Sequence, residues 1–174
     1  MSGDLEEPEH TVWQGKFITA KTRGKWEYVA RAKGVHAAVI LAVDADDQVL
    51  LVEQFRVPLG RACLELPAGL VGDDIAGEDP LAAAGRELEE ETGYRADRLE
   101  NLGEFYSSPG MVSESFTLVR ASGLTKVGPG GGVAGEDITV VRIALAQVAD
   151  YIAKARTRGL GIDVKLLMLL GLLR

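Results

Sequence analysis

The most informative stretch of the chain is Arg86-Glu87-Leu88-Glu89-Glu90-Glu91-Thr92-Gly93-Tyr94. On a helix, Glu90 and Glu91 lie three and four residues beyond Glu87, so the three carboxylates share one face. Like charges at these spacings destabilise a helix by about 0.2–0.5 kcal/mol per pair. A divalent cation would turn this repulsion into binding, because Mg²⁺ and Mn²⁺ prefer carboxylate oxygens. The stretch favours a metal site, and the alternative interpretation is a glutamate-rich helix face that is simply solvated.

The residues before this stretch predict the helix that carries it, over 78–92. Pro80 falls in the first turn, where a missing N–H costs nothing. Glu78 and Asp79 suit the positive end of the helix dipole. Gly93 stands where a left-handed C-terminal cap is expected.

Apolar runs on both sides of this helix predict strands. Residues 35–43 and 49–55 are separated by the turn Asp44-Ala45-Asp46-Asp47, and we expect them to pair as a hairpin. Other elements predicted in chain order are a short strand at 64–69, a Gly- and Asp-rich loop at 70–77, strands at 99–106, 116–120 and 138–144, a helix at 146–156 and a final apolar helix capped by Asp163. This order predicts one α/β domain in which helices pack on a mixed sheet.

The composition is that of a globular domain with excess negative charge. Of the 174 residues, 47% are hydrophobic and 26% are charged, which suits one domain with a single sizeable core. The net charge of −7 argues against general binding of nucleic acid, which needs clustered Lys and Arg. A polyanionic ligand can still bind an acidic protein when metal ions mediate the contact.

Three further features concern the compartment and the remaining chemistry. The single cysteine, Cys63, allows no disulfide within the chain and no Cys-based metal site, and we expect it to be a buried small hydrophobe. Residues 1–10 are acidic, lack the apolar core of a signal peptide and are expected to form a flexible tail. The longest apolar run, residues 166–173, is far shorter than the ~20 residues that cross a bilayer. The sequence therefore predicts a cytoplasmic protein that does not enter membranes.

The acidic stretch belongs to a longer pattern that is similar to the Nudix box. The pattern is Gly72, five residues, Glu78, seven residues, and then Arg86-Glu87-Leu88-x-Glu90-Glu91-x-Gly93-Tyr94. It fixes eight or nine positions over 23 residues, which makes chance agreement very improbable. Tyr94 departs from it, because an aliphatic residue is usual there. The resemblance implies the Nudix fold, an α/β fold with a mixed β-sheet sandwiched between α-helices.

The position of the box glycine is open. The segment Glu65-Leu66-Pro67-Ala68-Gly69 resembles the strand that enters the box in nucleoside diphosphate-sugar hydrolases, where the box glycine is the glycine of Pro-Ala-Gly. Gly69 lies three residues too early for the spacing above. Either Gly72 takes the role, or Gly69 keeps it and the loop carries three extra residues; we favour the second interpretation.

The resemblance to the box also implies the roles of its residues. Glu87 and Glu91 would ligate the metal, which is Mg²⁺ or else Mn²⁺, and the carbonyl of Ala68 would be a further ligand. Glu90 would assist them. Arg86 would form an ion pair that supports the loop before the helix, with Glu78 as its partner, and Arg86 and Glu90 are counted among the catalytic residues.

Features outside the box resemble the ADP-ribose pyrophosphatase group. Pro109, sixteen residues beyond Gly93, stands where that group has a proline, although an ordinary turn proline is the alternative. Arg56 ends a strand and could grip a diphosphate with two N–H groups. Glu136 follows the glycine-rich loop 128–135, which could close over the site and deliver a general base or another metal ligand; the alternative is a solvated loop acid. Further substrate contacts are assigned to Glu114 and Lys165.

The resemblance implies Mg²⁺-dependent hydrolysis of a nucleoside diphosphate sugar, with ADP-ribose giving AMP and ribose 5-phosphate. A GDP-mannose or ADP-glucose hydrolase is the nearest alternative. A non-catalytic nucleotide-sugar sensor is the alternative from another class, and the retention of all three box acids argues against it.

The resemblance also implies a division of the chain. Residues 35–174 would be the Nudix hydrolase domain, and residues 1–34 a tail and hairpin that such proteins exchange across a homodimer. Aromatic residues of that hairpin, Trp26 or Tyr28, could then stack on the base of the substrate.

Overall fold

The computed structural model describes residues 3–32, 35–72 and 77–172. Within these ranges the strands are β1 His10–Gln14, β2 Ile18–Arg23, β3 Trp26–Arg31, β4 His36–Ala42, β5 Gln48–Arg56, β6 Arg61–Glu65, β7 Ala68–Val71, β8 Tyr94–Tyr106, β9 Ser115–Lys126, β10 Ile138–Ala144 and β11 Gly161–Ile162. The helices are α1 Gly3–Glu6, α2 Pro80–Glu87, α3 Val148–Thr157 and α4 Leu169–Leu172, with a π-helical turn at Leu88–Thr92 and 3₁₀ turns at Val57–Leu59, Leu145–Gln147 and Val164–Met168. Residues 73–76 of the predicted loop, and residues 33 and 34 at the expected domain boundary, lie outside the described residues.

Two mixed four-stranded sheets form the body of the molecule. Their strand orders are β10-β5-β6-β11 and β7-β4-β9-β8. Each contains one parallel pair, β11 with β6 and β4 with β9, and the other pairs are antiparallel. The predicted α/β class with mixed sheets and packed helices is confirmed.

The predicted hairpin of the first two buried strands is wrong. β4 and β5 lie in different sheets, and a single bridge between Val43 and Val49 joins their ends. Asp44 closes the turn between them, since its side chain accepts the amides of Asp46 and Gln48 at 2.9 and 3.0 Å. β4 is almost wholly apolar, β5 is apolar over residues 49–52, and these apolar stretches are buried on both faces, so each needs cover above and below. Placing them in separate stacked sheets satisfies that requirement.

Alternate residues of β4 face two different cores. Val39 and Leu41 join the core that lies between the sheets and extends to α3. Ala38 and Ile40 face the opposite way, into a core closed by side chains of α2 and of the π-helical turn, namely Ala83, Ala84 and Leu88. This packing holds α2 against the sheet beside β7, and so brings the acidic stretch next to Ala68.

The N-terminal segment forms an antiparallel sheet of order β1-β2-β3. The tail predicted to be flexible contains the short helix α1, and β1 begins at His10. Backbone hydrogen bonds join Val29 of β3 to Met111 and Ser113, each at 2.9 Å. These two bonds attach the N-terminal sheet to the segment between β8 and β9. The sequence predicted a hairpin in this region, and the structure adds a third strand to it.

Several predicted element boundaries differ from the observed ones. The helix begins at Pro80, with Asp79 as its N-cap accepting the amide of Leu81 at 3.0 Å, so Glu78 stays outside it. Asp163 caps the last helical segment as expected, by accepting the amide of Lys165 at 2.8 Å, but that segment starts as a 3₁₀ turn. In the described part of the chain, no helix has the length and apolar content needed to cross a membrane.

Candidate active site

The acidic stretch is not one regular helix. The chain is α-helical up to Glu87 and then forms the π-helical turn, which ends at Gly93 in the left-handed conformation, with φ 72°. A π-helical turn contains an extra residue, and such turns are frequent at functional sites. The carboxylates are therefore unequally placed: Glu91 is 5% exposed, whereas 35% of the Glu90 side chain is exposed. Glu91 accepts the amide of Ala68 at 3.1 Å, which ties the turn to β7.

Both candidate box glycines have a geometric role. A Cβ at Gly69 would lie 1.9 Å from Cδ of Glu87, so only glycine leaves room for that side chain. Gly72 adopts a left-handed φ of 80°, and its amide donates to Glu78 Oε2 at 3.3 Å. Gly69 therefore makes space for a carboxylate and Gly72 makes the turn of the loop.

Arg86 connects the loop and the helix as the resemblance implied. Its guanidinium lies 3.4 Å from Glu78, and the same side chain donates to Glu87 at 2.8 Å and to Glu90 at 3.3 Å. Burial opposes the charge of Arg86, but the carboxylates of Glu78 and Glu87 outweigh it and raise its pKa. Arg86 thus ties Glu78, Glu87 and Glu90 together.

The remaining negative charge of the cluster is poorly compensated. Burial is the main cause that raises the pKa of Glu91 to about 8, and the negative charges of Glu87 and Glu136 act in the same direction. The amide of Ala68 and the positive charge of Arg56 lower this pKa, but by less. Burial also raises the pKa of Glu87, where Arg86 opposes it and Glu90 and Glu136 reinforce it. Carboxylates in such surroundings favour a proton or a cation.

The donor set fits a hard divalent cation. Within residues 3–32, 35–72 and 77–172, no three acidic, histidine or cysteine side chains converge closely enough to hold an ion by themselves. Mg²⁺ is commonly held by one or two carboxylates, with water and substrate phosphate oxygens completing its shell. Glu87 and Glu91, with the carbonyl of Ala68, can supply such a partial set.

Arg56 has a partner that the pattern of its own strand does not indicate. Glu65 accepts two of its N–H groups, at 2.7 and 2.9 Å, and only 7% of the Glu65 side chain is exposed. This pairing raises the pKa of Arg56. Glu65 itself is the feature of the sequence that indicates such a pair, because an acid within a buried apolar stretch needs a partner. Cys63 on the same strand is buried, as expected, and burial raises the pKa of its thiol to about 11.

Glu136 follows the predicted glycine-rich loop. Its carboxylate accepts the amide of Val133 at 3.1 Å, and its charge adds a smaller effect to that of burial, which raises the pKa of Glu87 and of Glu91. The loop was expected to be free to close over the site. Instead, the amides of Gly131 and Gly132 donate to the acidic turn at 2.8 and 3.0 Å, so this part of the loop is anchored.

The two other expected substrate contacts are also paired. Glu114 accepts Nε of Arg31, from β3, at 2.6 Å. Lys165 binds Asp163, and its ammonium lies 5.8 Å from the centroid of the Phe116 ring. Arg31 and Asp163 were not assigned to the site from sequence, because nothing in their local pattern shows which distant residue they meet.

One cavity of about 770 Å³ brings the candidate residues together. All nine line it: Arg56, Ala68, Arg86, Glu87, Glu90, Glu91, Glu114, Glu136 and Lys165. Trp26 and Tyr28 lie instead along a second cavity of about 1070 Å³, next to Pro109. Within a single chain, the aromatic residues expected to stack on a base are therefore apart from the acidic cluster.

Comparison with known proteins agrees with this arrangement. The NUDIX domain family model matches residues 33–130, which is more than half of the chain. The chain is 36% identical to a methanol dehydrogenase activator of Bacillus methanolicus over 69% of its own length and 64% of that protein. It is 46% identical to an ADP-ribose pyrophosphatase of Bacillus subtilis, strain 168, over 45% of its own length and 40% of that protein. The chain thus spans less than two thirds of these relatives.

A solved structure extends the likeness over nearly the whole chain. It is the crystal structure of an ADP compounds hydrolase, with a TM-score of 0.70 and 25% sequence identity, and the match covers 94% of this chain and 89% of that one. The matched region of the family model includes the full glycine, arginine and glutamate pattern at 72–94. On these grounds, the chain belongs to the Nudix family.

Proposed function

We propose that this protein hydrolyses the pyrophosphate bond of nucleoside diphosphate sugars with the help of Mg²⁺, and that ADP-ribose, which gives AMP and ribose 5-phosphate, is its main substrate. The observation that carries the proposal is one cavity lined by the buried carboxylate of Glu91, the partly buried Glu87 and the exposed Glu136, with Arg56 on its wall. The cavity volume of about 770 Å³ is in the range of small-molecule sites. The choice of ADP-ribose is supported by the names of the ADP-ribose pyrophosphatase and of the ADP compounds hydrolase that the chain resembles.

Each residue of the cluster then has a role. Glu87, Glu91 and the carbonyl of Ala68 hold Mg²⁺, or Mn²⁺ in its place, and the bound metal neutralises phosphate charge and lowers the pKa of water. Glu136 accepts a proton from the attacking water. The oxygen of that water bonds to one phosphorus, and the bond from this phosphorus to the bridging oxygen breaks. Arg86 keeps Glu87 and Glu90 in position through its ion pairs.

The other cavity residues bind the substrate. Arg56 gives Nε and Nη2 to Glu65, which leaves the N–H groups of Nη1 for the diphosphate. Glu114 and Lys165 contact the nucleoside or the sugar, in exchange for their present partners Arg31 and Asp163.

The decisive experiment is a product assay with ADP-ribose, GDP-mannose and ADP-glucose, with Mg²⁺ and with excess chelator. Metal-dependent release of AMP and ribose 5-phosphate from ADP-ribose, faster than release from the other two, supports the proposal. Preference for GDP-mannose or ADP-glucose would keep the chemistry and change the substrate. Binding without turnover of any sugar would overturn it in favour of a sensor.

A variant that lacks one metal ligand tests the assignment of the metal site, and a neighbouring glutamate provides the matched control. Loss of a partner that merely orients a metal ligand costs about 10–100-fold, so Glu91→Gln, which removes a ligand, should lower kcat by more than that. Glu89→Gln, on the same turn but exposed and paired with Arg95, should leave kcat unchanged. Full activity of Glu91→Gln would exclude Glu91 as a metal ligand.

We also propose that the protein is a homodimer in which residues 1–34 of each chain meet the other chain and residues 35–174 form the hydrolase domain. The support is a set of large apolar side chains on the N-terminal sheet that are about half exposed or more in the single chain: Val12, Trp13, Phe17 and Trp26. Large apolar side chains left exposed in one segment of a folded chain favour an interaction site there.

A further inference from the structure

Four successive carbonyl groups end the acidic π-helical turn, and one later segment of the chain binds all of them. We call this segment, residues 126–132, the capping segment. The amide of Gly132 donates to the carbonyl of Glu90 at 3.0 Å, and the amide of Gly131 donates to that of Glu91 at 2.8 Å. The ammonium of Lys126 donates to the carbonyl of Thr92 at 2.8 Å. The amides of Val127 and Gly128 donate to the carbonyl of Gly93 at 2.8 and 3.1 Å. The last carbonyls of a helix have no partner within it, so the capping segment supplies what the turn lacks.

The contact is made by backbone against backbone. A Cβ at Gly93 would lie 2.2 Å from the carbonyl oxygen of Gly128, and a Cβ at Gly130 would lie 2.4 Å from the carbonyl carbon of Thr92. Both glycines also adopt left-handed φ values, of 72° and 71°. The glycines of the loop thus serve this close approach, because any side chain would hold the two backbones apart.

Lys126 is the one side chain among these donors, and it makes three contacts at once. Its ammonium donates to Thr92 at 2.8 Å and to the carbonyl of Pro129 at 3.2 Å. It also lies 4.7 Å from the centroid of the Tyr94 ring, which is its cross-strand partner. A cation over an aromatic ring is attracted by the ring face, and the aliphatic residue usual at this position offers no such face. Tyr94, which departs from the motif, therefore pairs with Lys126 on the neighbouring strand.

The capping segment leads directly to Glu136. A Cβ at Gly132 would lie 2.5 Å from Oε2 of Glu136, so the glutamate side chain packs on the anchored end of the segment. The same oxygen accepts the amide of Val133, the next residue along. Any shift of the segment would consequently move the Glu136 carboxylate relative to Glu87 and Glu91.

We propose that Lys126, together with Tyr94, is a positioning residue that fixes the capping segment on the acidic turn and thereby sets the distance of Glu136 from Glu87 and Glu91. The role given to Glu136 rests on the function proposed above. The capping itself does not, and it can be measured without any substrate.

The first test is hydrogen exchange on the full-length protein, with resolution at Gly131 and Gly132. Lys126→Met, which keeps most of the unbranched side chain but removes the ammonium group, should raise exchange of these two amides by at least about tenfold, because local opening becomes easier. Lys126→Arg should restore protection, and Lys154→Met, at an exposed position of α3, should not change it. Unchanged exchange in Lys126→Met would overturn the proposal.

The second test is kinetic and asks whether Lys126 acts through Glu136. Small misplacements of a catalytic group cost up to about 100-fold, so Lys126→Met should lower kcat by about 10- to 100-fold with KM within about twofold. In a Glu136→Gln background the same substitution should cost nothing further, since the group that it positions is already lost. An equal loss in both backgrounds, as a general structural defect would give, contradicts the proposal.

Variants of Tyr94 test the same proposal without changing Lys126. Tyr94→Phe keeps the ring face and should retain both exchange protection and kcat, whereas Tyr94→Leu should lose part of each. Equal behaviour of the two would remove Tyr94 from the proposal. If the unmodified protein turns over no nucleotide sugar, the proposed function fails, and the exchange results with Lys126→Met and Lys126→Arg still decide whether the capping is real.

Discussion

At Gly69 the missing side chain is itself a structural requirement of the acidic cluster. A methyl group there would lie 1.9 Å from Cδ of Glu87, so Gly69→Ala should displace the Glu87 carboxylate. We expect a loss of stability of about 1–3 kcal/mol from overpacking, together with weaker Mg²⁺ binding. Denaturant unfolding and metal titration measure the two effects. Gly110→Ala, where a Cβ would meet nothing within 4 Å, should change neither, and a harmless Gly69→Ala would contradict the packing described.

The buried carboxylate of Glu91 makes a testable contribution to stability in the absence of metal. Its pKa rises from 4.5 to about 8 in the folded chain, so between these pH values the folded state keeps a proton that the unfolded state has released. This contribution is fully present below pH 4.5 and is lost as the pH rises towards 8. Unfolding of chelator-treated protein should therefore show stability declining over this window.

The variant Glu91→Gln isolates that effect. It removes the titrating group and one charge beside Glu87, so its stability should fall less steeply with rising pH than that of the unmodified protein. Mg²⁺ should stabilise the unmodified protein more at pH 8 than at pH 5.5, because the ion competes with a proton. Glu89→Gln should keep the original slope, and an unchanged slope in Glu91→Gln would show that burial does not raise the pKa of Glu91.

At the scale of single residues, the sequence indicates candidate site residues but not the side chains that they pair with. Glu87, Glu91 and Arg86 could be assigned because the spacing of the motif is local and a helix converts spacing into direction. The partners of Arg56 and Glu114, which are Glu65 and Arg31, depend on which strands meet. No spacing along the chain contains that information.

At the scale of secondary structure elements, the capping segment predicts different costs for two glycines. Gly130 and Gly135 both have left-handed φ values, 71° and 100°, but only a Cβ at Gly130 would strike the acidic turn. Left-handed strain costs about 1–3 kcal/mol, so both alanine variants should lose stability. Gly130→Ala should lose clearly more and should also lower kcat, whereas Gly135→Ala should retain kcat. Thermal unfolding and steady-state kinetics measure these effects, and equal behaviour would contradict the docking of the loop.

Element types could be read from the sequence more reliably than their pairing or their ends. The helix over 78–92 was placed correctly within two residues at its start, but its change to a π-helical turn at Leu88 was not foreseen. β8 begins at Tyr94, five residues before the predicted start, because pairing with β9 extends a strand whose own sequence is polar. The β4–β5 hairpin failed for the same reason, since the pairing of strands is settled by the whole sheet.

At the scale of the whole molecule, the exposed apolar surface of the N-terminal sheet predicts association. Trp13 is 56% exposed and Phe17 is 59% exposed, so a chain that stays single would leave both rings largely in water. Sedimentation velocity should show a dimer at micromolar concentration. The double variant Trp13→Ser, Phe17→Ser should shift the equilibrium towards the monomer. Leu167→Ser, which alters an apolar residue of similar exposure on another surface, should leave the dimer intact, and an unmodified protein that sediments as a monomer would refute the assembly.

The capping of the acidic turn also determines what the motif can do away from its fold. Its final carbonyls find their partners more than thirty residues later in the chain, at the end of β9 and in the loop that follows it. During synthesis they remain open until residue 132 has left the ribosome. A short peptide with the motif would contain every carboxylate but would be a marginal helix in water, with its end unbound. The motif is therefore not a portable metal-binding unit, and grafting it onto another scaffold requires the two strands and the glycine turn that complete it.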